Sequence, residues 1–599
     1  MCGFIGFTKF VNVKQYSDRL HHRGPDSFGF YQDDETTLMH NRLSIIDVSS
    51  TSDQPFLDKT RDYAIVFNGE IYNYQELKSN FNLNCRTNSD TEVILELYKL
   101  MGKKCLDHLT GIFAFCIYDI KSKSLFLARD HFGVKPLYYS LNDGVLSFSS
   151  EIKGILDESI KFNLQSVYEY MQYGLLHHNE STFFEDVFSL SPGHCIDFDL
   201  KSKEMTIRRY WDIPHYDQDG SEDTIEEVHE LLQQSMKHNL VSDVEVAICL
   251  SSGTDSTLLT KMSQEHQQEF KAFTFGFSEQ DYDEISRVKR NFDLNHLDLH
   301  PSYLPQNKML SMLKESLYYF ESPLGGLGTL SAYNLMKDVH KQRIKVVLAG
   351  EGADEVFGGY RYYYASLFQD LLDKDSLQNE LSIYNQKHKT NLQLGTKEFK
   401  QFLELNNSDF VFAPDATSSM QTYCSTAFKD FSLNTMKAKS QFSSALSNTM
   451  YTDMFRKKLP KLLHFQDRAS MANGVEARVP FLDKRLTELM YSLPAQYKIK
   501  NGETKYLLKR VLKEKYSYLE RSETKHYVAT PQREWLKSKE IVDEVLDTIK
   551  SGFLVKNSWV DYSKFEKDYL NYAEQEELGN SFFIWKLINL EYLLEIKWT

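Results

Sequence analysis

The first 200 or so residues alternate short apolar runs with turn chemistry. DYAIVFNGEIYN, GIFAFCIYDI, SLFLARD and VLSFSSE read as strands, and Asn142-Asp143-Gly144 marks a tight turn between two of them. Sheet packed on sheet is the expected architecture. Around Trp211 the pattern lapses into HYDQDGSED, an acidic, turn-rich stretch without apolar periodicity that suits a linker. Beyond it TIEEVHELLQQSMKHNL has helical spacing, VEVAICL is a buried-strand run, SSGTDS a turn, and TLLTKMSQEHQQ a second helix. Strand, tight turn and helix recur at RIKVVLAGEGADEVFGGY, so this half reads as α/β with a parallel sheet. From about residue 365 onward the pattern is mostly helical, and the closing SFFIWKLINLEYLLEIKW has the aromatic spacing of a core helix. The stretch from Gln378 to Met436 carries no readable pattern and no assigned function. Internal repeats and low-complexity segments are absent from the sequence.

A chain of 599 residues exceeds one ordinary core and implies two or three domains. Its 41% hydrophobic and 26% charged residues match soluble proteins, and no run approaches the roughly 18 apolar residues that cross a bilayer. Lys9 interrupts the apolar start, which argues against a secretory signal and for the cytoplasm. The seven cysteines (Cys2, Cys85, Cys105, Cys116, Cys195, Cys249, Cys424) are scattered, with no CxxC pair, and are expected as free thiols. A net charge of −15 excludes nucleic acid as the main partner. Any ATP site must then rest on backbone amides, magnesium and a few cations.

Several stretches carry candidate chemistry. SSGTDS, Ser251 to Ser256, lies between a strand and a helix, where its amides and the helix N-terminus suit a phosphate; its plain alternative is an N-capped turn. LAGEGADEVFGGY sets Glu351, Asp354 and Glu355 on a second strand-end turn, and the two loops can face one crevice that suits magnesium, or the second can be a solvated acidic turn. In the first half, HHRGPD, NRLSIID, FNGEIYN and TNSDTE embed polar groups in apolar surroundings. Asn68-Gly69 ordinarily signals a hairpin, but an Asn side chain with a glycine amide also makes an oxyanion hole. Arg42 suits a carboxylate clamp and Asp90 an ammonium. Cys2 reads either as a small buried residue or as a nucleophile exposed at the chain start once Met1 is removed.

In this order, the segments resemble the glutamine-dependent asparagine synthetase family. The likeness runs through MCGFIGF, HHRGPD, RLSIID, FNGEIYN, SDTEVIL, GIFAFCIYD, RDHFGVKPLYY, FSSEIK and LSPGH, then SSGTDS, FTFGF, VVLAGEGADEVFGGY, DRASMANGVEARVPFLD and KYLLKR, covering most of the chain. The resemblance implies an α+β N-terminal Ntn-hydrolase, with stacked antiparallel sheets and flanking helices, over residues 2–211. A linker at 212–223 and an α/β ATP-pyrophosphatase domain with a helical C-terminal region at 224–599 complete the chain. It implies that Cys2, as first residue with its own α-amine as base, attacks glutamine, that Asn68 and Gly69 hold the oxyanion, and that Arg42, Glu70 and Asp90 hold the amino-acid end. In the second domain Leu250, Ser251, Gly253, Asp255, Ser256, Phe275, Gly350 and Lys505 match the ATP and pyrophosphate site. Asp255 and Asp354 match Mg2+ ligands, and Glu351 the base for ammonia attack on an acyl adenylate. The implied partners are small molecules (glutamine, ATP, aspartate or another carboxylate), without nucleic acid or membrane, and a homodimer is allowed.

Three positions depart from the family pattern. Ser252 stands where the phosphate loop usually has glycine, Ala349 and Ala353 replace small polar residues, and His526-Tyr527 replaces glycine and phenylalanine in a late loop. The last bears on acceptor choice, so a sugar uronic acid is carried beside aspartate. A catalytically dead relative would show erosion at the reactive positions, all of which are present. His21, His22, Arg478 and Asp483 are expected to be structural.

Overall fold

The computed structural model describes the chain except residues 1, 158–159, 267–269, 293–296, 405–422, 424–425, 434–439, 517–529, 578 and 599. Met1, Cys424, the His526-Tyr527 departure and much of 378–436 therefore lie outside the described residues.

Two six-stranded antiparallel sheets build the N-terminal half. The first runs Phe188–Ser189, Tyr138–Asn142, Val145–Ser149, Gly3–Phe7, Thr37–Arg42, Ser27–Gln32; the second runs Met205–Arg209, His194–Asp199, Ser124–Arg129, Gly111–Asp119, Tyr63–Ile71, Phe56–Leu57. Strand side chains alternate between faces, and both faces of the second sheet are covered. Ala64, Val66, Ala114 and Cys116 point to the core shared with Phe4, Leu38 and Phe148, whereas Ile65, Phe67, Phe113 and Phe115 pack away from it in a core that includes Val93, Ile94 and Leu97 of the helix Asp90–Met101. Double burial is why these strands read as near-continuous apolar runs.

Asn142 pairs with Val145 across a two-residue turn in which Asp143 and Gly144 have φ of 52° and 73°, the expected hairpin. Asn68-Gly69 is not a turn. Both residues lie inside the strand Tyr63–Ile71, paired with Ala114 and Phe113. Gly69 has φ of 148°, and a Cβ there would sit 2.0 Å from the Ile112 carbonyl oxygen, so the glycine serves close strand approach.

The C-terminal half holds a five-stranded parallel sheet in the order Leu297–Tyr303, Phe270–Gly276, Val246–Cys249, Val346–Leu348, Glu476–Arg478. Sequence order runs outward on both sides of Val246–Cys249, so the switch point falls between that strand and Val346–Leu348. Ligands in open parallel sheets bind beyond the strand ends at such a point. Helices dominate the remainder, and the closing helix Phe582–Leu594 buries Trp585, Leu587, Ile588 and Leu590 as core. Among the described residues no helix is long and apolar enough to cross a membrane.

Phe148 fills the space over Gly6 and meets Phe4 edge-on, with ring centroids 6.2 Å apart. We expect Phe148→Ala to lower stability by about 3–5 kcal/mol, read as a shifted urea midpoint; a loss below about 1 kcal/mol would contradict this packing.

Candidate functional site

The first candidate site begins at Cys2, which precedes the central strand Gly3–Phe7. Its backbone N–H donates to Asn68 Oδ1 at 3.0 Å, and its Sγ lies 3.9 Å from the Leu43 carbonyl. Burial raises the thiol pKa. Asn68 is fully buried, and among the described residues its Nδ2 has no partner. An orphaned donor at such depth is costly unless a ligand oxygen accepts from it. The next two strand residues are Gly69 and Glu70. Burial, together with the nearby Glu476 carboxylate, pushes the Glu70 carboxyl well above its ordinary range. Asp90 accepts from the Ile71 N–H at 2.9 Å, and burial pushes its carboxyl up to about 6. Asn68, Glu70 and Asp90 are thus gathered with Cys2 by two strands and the start of one helix.

Arg42 is buried but already committed. It donates to the Ser49 carbonyl at 2.7 Å, to Asp53 at 2.8 Å and to the carbonyls of Ile46 and Asp47, wrapping the loop that follows its strand. A ligand carboxylate would have to share or replace Asp53.

Two residues of the C-terminal half reach this site, a contact the sequence does not indicate. Glu476 and Arg478 belong to the edge strand of the parallel sheet, yet Arg478 stands 3.6 Å from Glu70 and 2.5 Å from Glu476. Burial would raise the Glu476 carboxyl, but neighbouring cations including Arg478 and Lys135 hold it down at about 2. Arg478 is expected as a packing and salt-bridge element, and its ion pairs run to Glu476 and, across to the N-terminal half, to Glu70. The segment VEARVPFLD carries no sequence signal of a partner in the other half. His22 is structural as expected, bonded to Glu151 at 3.0 Å, and Asp483 caps the helix Lys484–Ser492 and pairs with Arg485 at 2.8 Å.

The second candidate site lies at the switch point. Ser256 Oγ contacts the Ser251 N–H at 3.0 Å and the Ser251 carbonyl at 2.8 Å, closing the loop before the helix Thr254–His266. The Ser252 N–H donates to Glu284 at 2.6 Å, so a carboxylate occupies the amide that an anionic ligand would use. Leu250 and Phe275 sit at adjoining strand ends, with the Leu250 N–H bonded to the Phe273 carbonyl at 2.8 Å. Gly350 lies against Asp255, where a Cβ would come 3.3 Å from the Asp255 Cβ.

Lys505 ties the loops together. Its Nζ is 2.6 Å from Asp255 and 2.8 Å from Asp354. Burial would lower its pKa, but the two carboxylates outweigh that and hold the ammonium above its ordinary value. Glu351 has a buried Oε2 with no partner among the described residues, and burial, reinforced by Asp255, pushes its carboxyl up to about 7. Two hard carboxylates converging beside a phosphate-type loop fit Mg2+, which binds through one or two carboxylates plus substrate phosphates. No group of three or more metal-ligating side chains occurs among the described residues, so the phosphates would have to complete any such site.

An antiparallel double-sheet half with a buried cysteine at its central strand is thus joined to a parallel-sheet half whose switch point gathers a lysine and several carboxylates. Residues 1–211 match the glutamine amidotransferase domain, and residues 227–595 match asparagine synthase. The chain belongs to the asparagine synthase family and is, at the level of that family, a glutamine-hydrolysing ligase that uses ATP. It is 28% identical to asparagine synthetase [glutamine-hydrolyzing] 1 of Bacillus subtilis, over 99% of this chain and 97% of that one. It is 32% identical to a putative asparagine synthetase 2 of Methanocaldococcus jannaschii, over 62% of this chain and 78% of that one. It is also 30% identical to amidase chyE of Penicillium rubens, over 83% and 81%.

Gly359 leaves no room beside the Lys505 cluster: a Cβ there would lie 1.8 Å from Asp354 Oδ1 and 2.3 Å from Lys505 Cε. We expect Gly359→Ala to lower ammonia-dependent pyrophosphate release by about 100-fold while sparing glutamine hydrolysis. Equal loss of both, or no loss, would contradict the assignment of this cluster to the second site.

Proposed function

We propose that the protein transfers the side-chain nitrogen of glutamine to a carboxylate activated by ATP, with aspartate as the acceptor and asparagine, AMP and pyrophosphate as products. The observation that carries the first half is Asn68: its Oδ1 engages Cys2 while its buried Nδ2 has no partner among the described residues. Removal of Met1 frees the Cys2 α-amine, which takes the thiol proton. The thiolate then adds to the amide carbon of glutamine, and Asn68 Nδ2 with the Gly69 N–H stabilises the oxyanion. Carbon–nitrogen cleavage releases ammonia, which leaves with the proton from the amine. Water then hydrolyses the thioester to glutamate. Arg42, Glu70 and Asp90 hold the amino-acid end; Asp90 and Arg42 supply the opposite charges that it requires.

In the second half an acceptor carboxylate oxygen attacks the α-phosphorus, pyrophosphate leaves, and the acyl adenylate forms. This step matters because a carboxylate resists attack by ammonia until one oxygen belongs to a leaving group. Leu250, Ser251, Gly253, Ser256, Phe275 and Gly350 line the nucleotide, and Lys505 exchanges its carboxylate partners for the departing pyrophosphate. Asp255 and Asp354 would hold Mg2+, which when bound neutralises phosphate charge. Ammonia, passed within the protein, adds to the acyl carbon, AMP leaves, and Glu351 accepts the nitrogen's proton. A location in the cytoplasm accords with ATP and free glutamine as substrates.

A second acceptor class, a uronic-acid sugar, is motivated by the departures from the family pattern at Ser252 and at His526-Tyr527. A panel of carboxylates assayed with ATP and ammonia for pyrophosphate release decides. Release with aspartate supports asparagine formation; release with a sugar acid and none with aspartate overturns it. Cys2→Ala is expected to abolish use of glutamine and retain use of ammonia. Loss of both would argue against separable sites.

Glu351 gives a pH expectation. Its carboxyl, at about 7, is protonated below that value and cannot accept a proton. At constant unprotonated ammonia, the rate should therefore rise between about pH 6 and 8, and Glu351→Gln should remove this limb. A flat wild-type profile would contradict the role.

A further inference from the structure

Between the two halves lies a cluster of buried charges to which none of the roles above gives a function. Arg23, Glu151 and Lys153 come from the N-terminal half, and Glu321, Asp467 and Arg468 from the C-terminal half. Three cations thus meet three carboxylates, each side chain at most 5% exposed. Arg23 is the member that reaches the first site. Its Nε donates to the Cys2 carbonyl at 3.0 Å, while its two terminal nitrogens grip Asp467 at 2.9 and 3.0 Å and Glu151 at 2.7 Å.

This is a forked, bidentate pair whose plane fixes the guanidinium in orientation as well as position. Asp467 rides on the helix Leu459–Met471, itself tied down by Arg468, which reaches Glu321 at 3.0 Å and the Ser150 carbonyl at 3.3 Å. Just beyond that helix the chain forms the strand Glu476–Arg478, and the Arg478 carbonyl accepts from the Ala349 N–H at 2.8 Å, beside Gly350 and Glu351. The Cys2 backbone and the loop of the second site are thus held by one continuous stretch of the C-terminal half.

We propose that Asp467 is a positioning residue for glutamine hydrolysis: from the ATP-using half it fixes Arg23, and through Arg23 the backbone of Cys2. The proposal rests on the reading of Cys2 as nucleophile. It makes the first activity depend on a side chain of the second domain that touches neither substrate.

Two substitutions in the full-length protein test it. Asp467→Asn keeps the size but removes the charge and one acceptor oxygen. Arg23→Lys keeps the charge but cannot hold the Cys2 carbonyl and the Asp467 fork together. In each we expect kcat for glutamine hydrolysis to fall about 10- to 100-fold, with the glutamine KM changed by less than about three-fold. Ammonia-dependent pyrophosphate release should stay within about two-fold. A merely structural role would lower both activities in proportion, as the folded fraction falls, and that result overturns the proposal; where one variant fails to fold, the other decides. Unchanged glutamine kcat in the folded variants also overturns it. Cys2→Ala run in parallel separates the two levels: if it still hydrolyses glutamine, the nucleophile reading fails as well; if it is inactive while Asp467→Asn retains full kcat, only the positioning role fails.

Discussion

Charges without water must be paired, and this requirement governs how the two halves of the chain meet. Arg23, Glu151, Lys153, Glu321, Asp467 and Arg468 are all buried, and breaking a buried pair by removing one partner costs about 3–5 kcal/mol. Such a cluster tolerates essentially one arrangement of the surrounding backbone, because each carboxylate is shared by more than one cation. Apolar contact alone would let the halves slide. The ionic contact fixes them, and with them the spacing between the cysteine site and the carboxylate site that under the proposed function receives its ammonia.

The two sites use burial in opposite senses. Around Cys2, burial leaves Asn68 Nδ2 without a partner among the described residues and raises the carboxyls of Glu70 and Asp90, so under the proposed function a bound amino acid supplies partners there. At the switch point the charged groups already have partners in the chain, with Lys505 between Asp255 and Asp354 and Glu284 on the Ser252 amide. Under the proposed function, nucleotide binding there is an exchange of ion pairs rather than the filling of a void. Glu351 is the exception: among the described residues its Oε2 has no partner, and burial, reinforced by Asp255, keeps its carboxyl raised.

Local chemistry was legible in the sequence wherever neighbours in the chain determined it. The Asp143-Gly144 turn, the paired apolar strands and the loop–helix of SSGTDS follow from residues within a few positions of one another. Asn68-Gly69 misleads at that range, because the glycine answers to Ile112 on the adjoining strand rather than to its own neighbours. Arg23 and Asp467 are 444 residues apart, and nothing in HHRGPD or DRASM names the other. Arg478 and Glu476 likewise look like sheet-edge residues until the first domain is set against them. Pairwise chemistry across the domain contact has no periodicity to read.

The central claim is that Cys2 acts as the first residue of the mature chain. Intact-mass and peptide mapping of glutamine-active protein, treated with an electrophilic glutamine analogue, measures it directly. The account predicts a chain lacking Met1 whose single adduct lies on the peptide that begins with Cys2, and whose glutamine hydrolysis is lost in step with labelling. Full glutamine activity in protein that retains Met1, or inactivation by an adduct elsewhere, would contradict it.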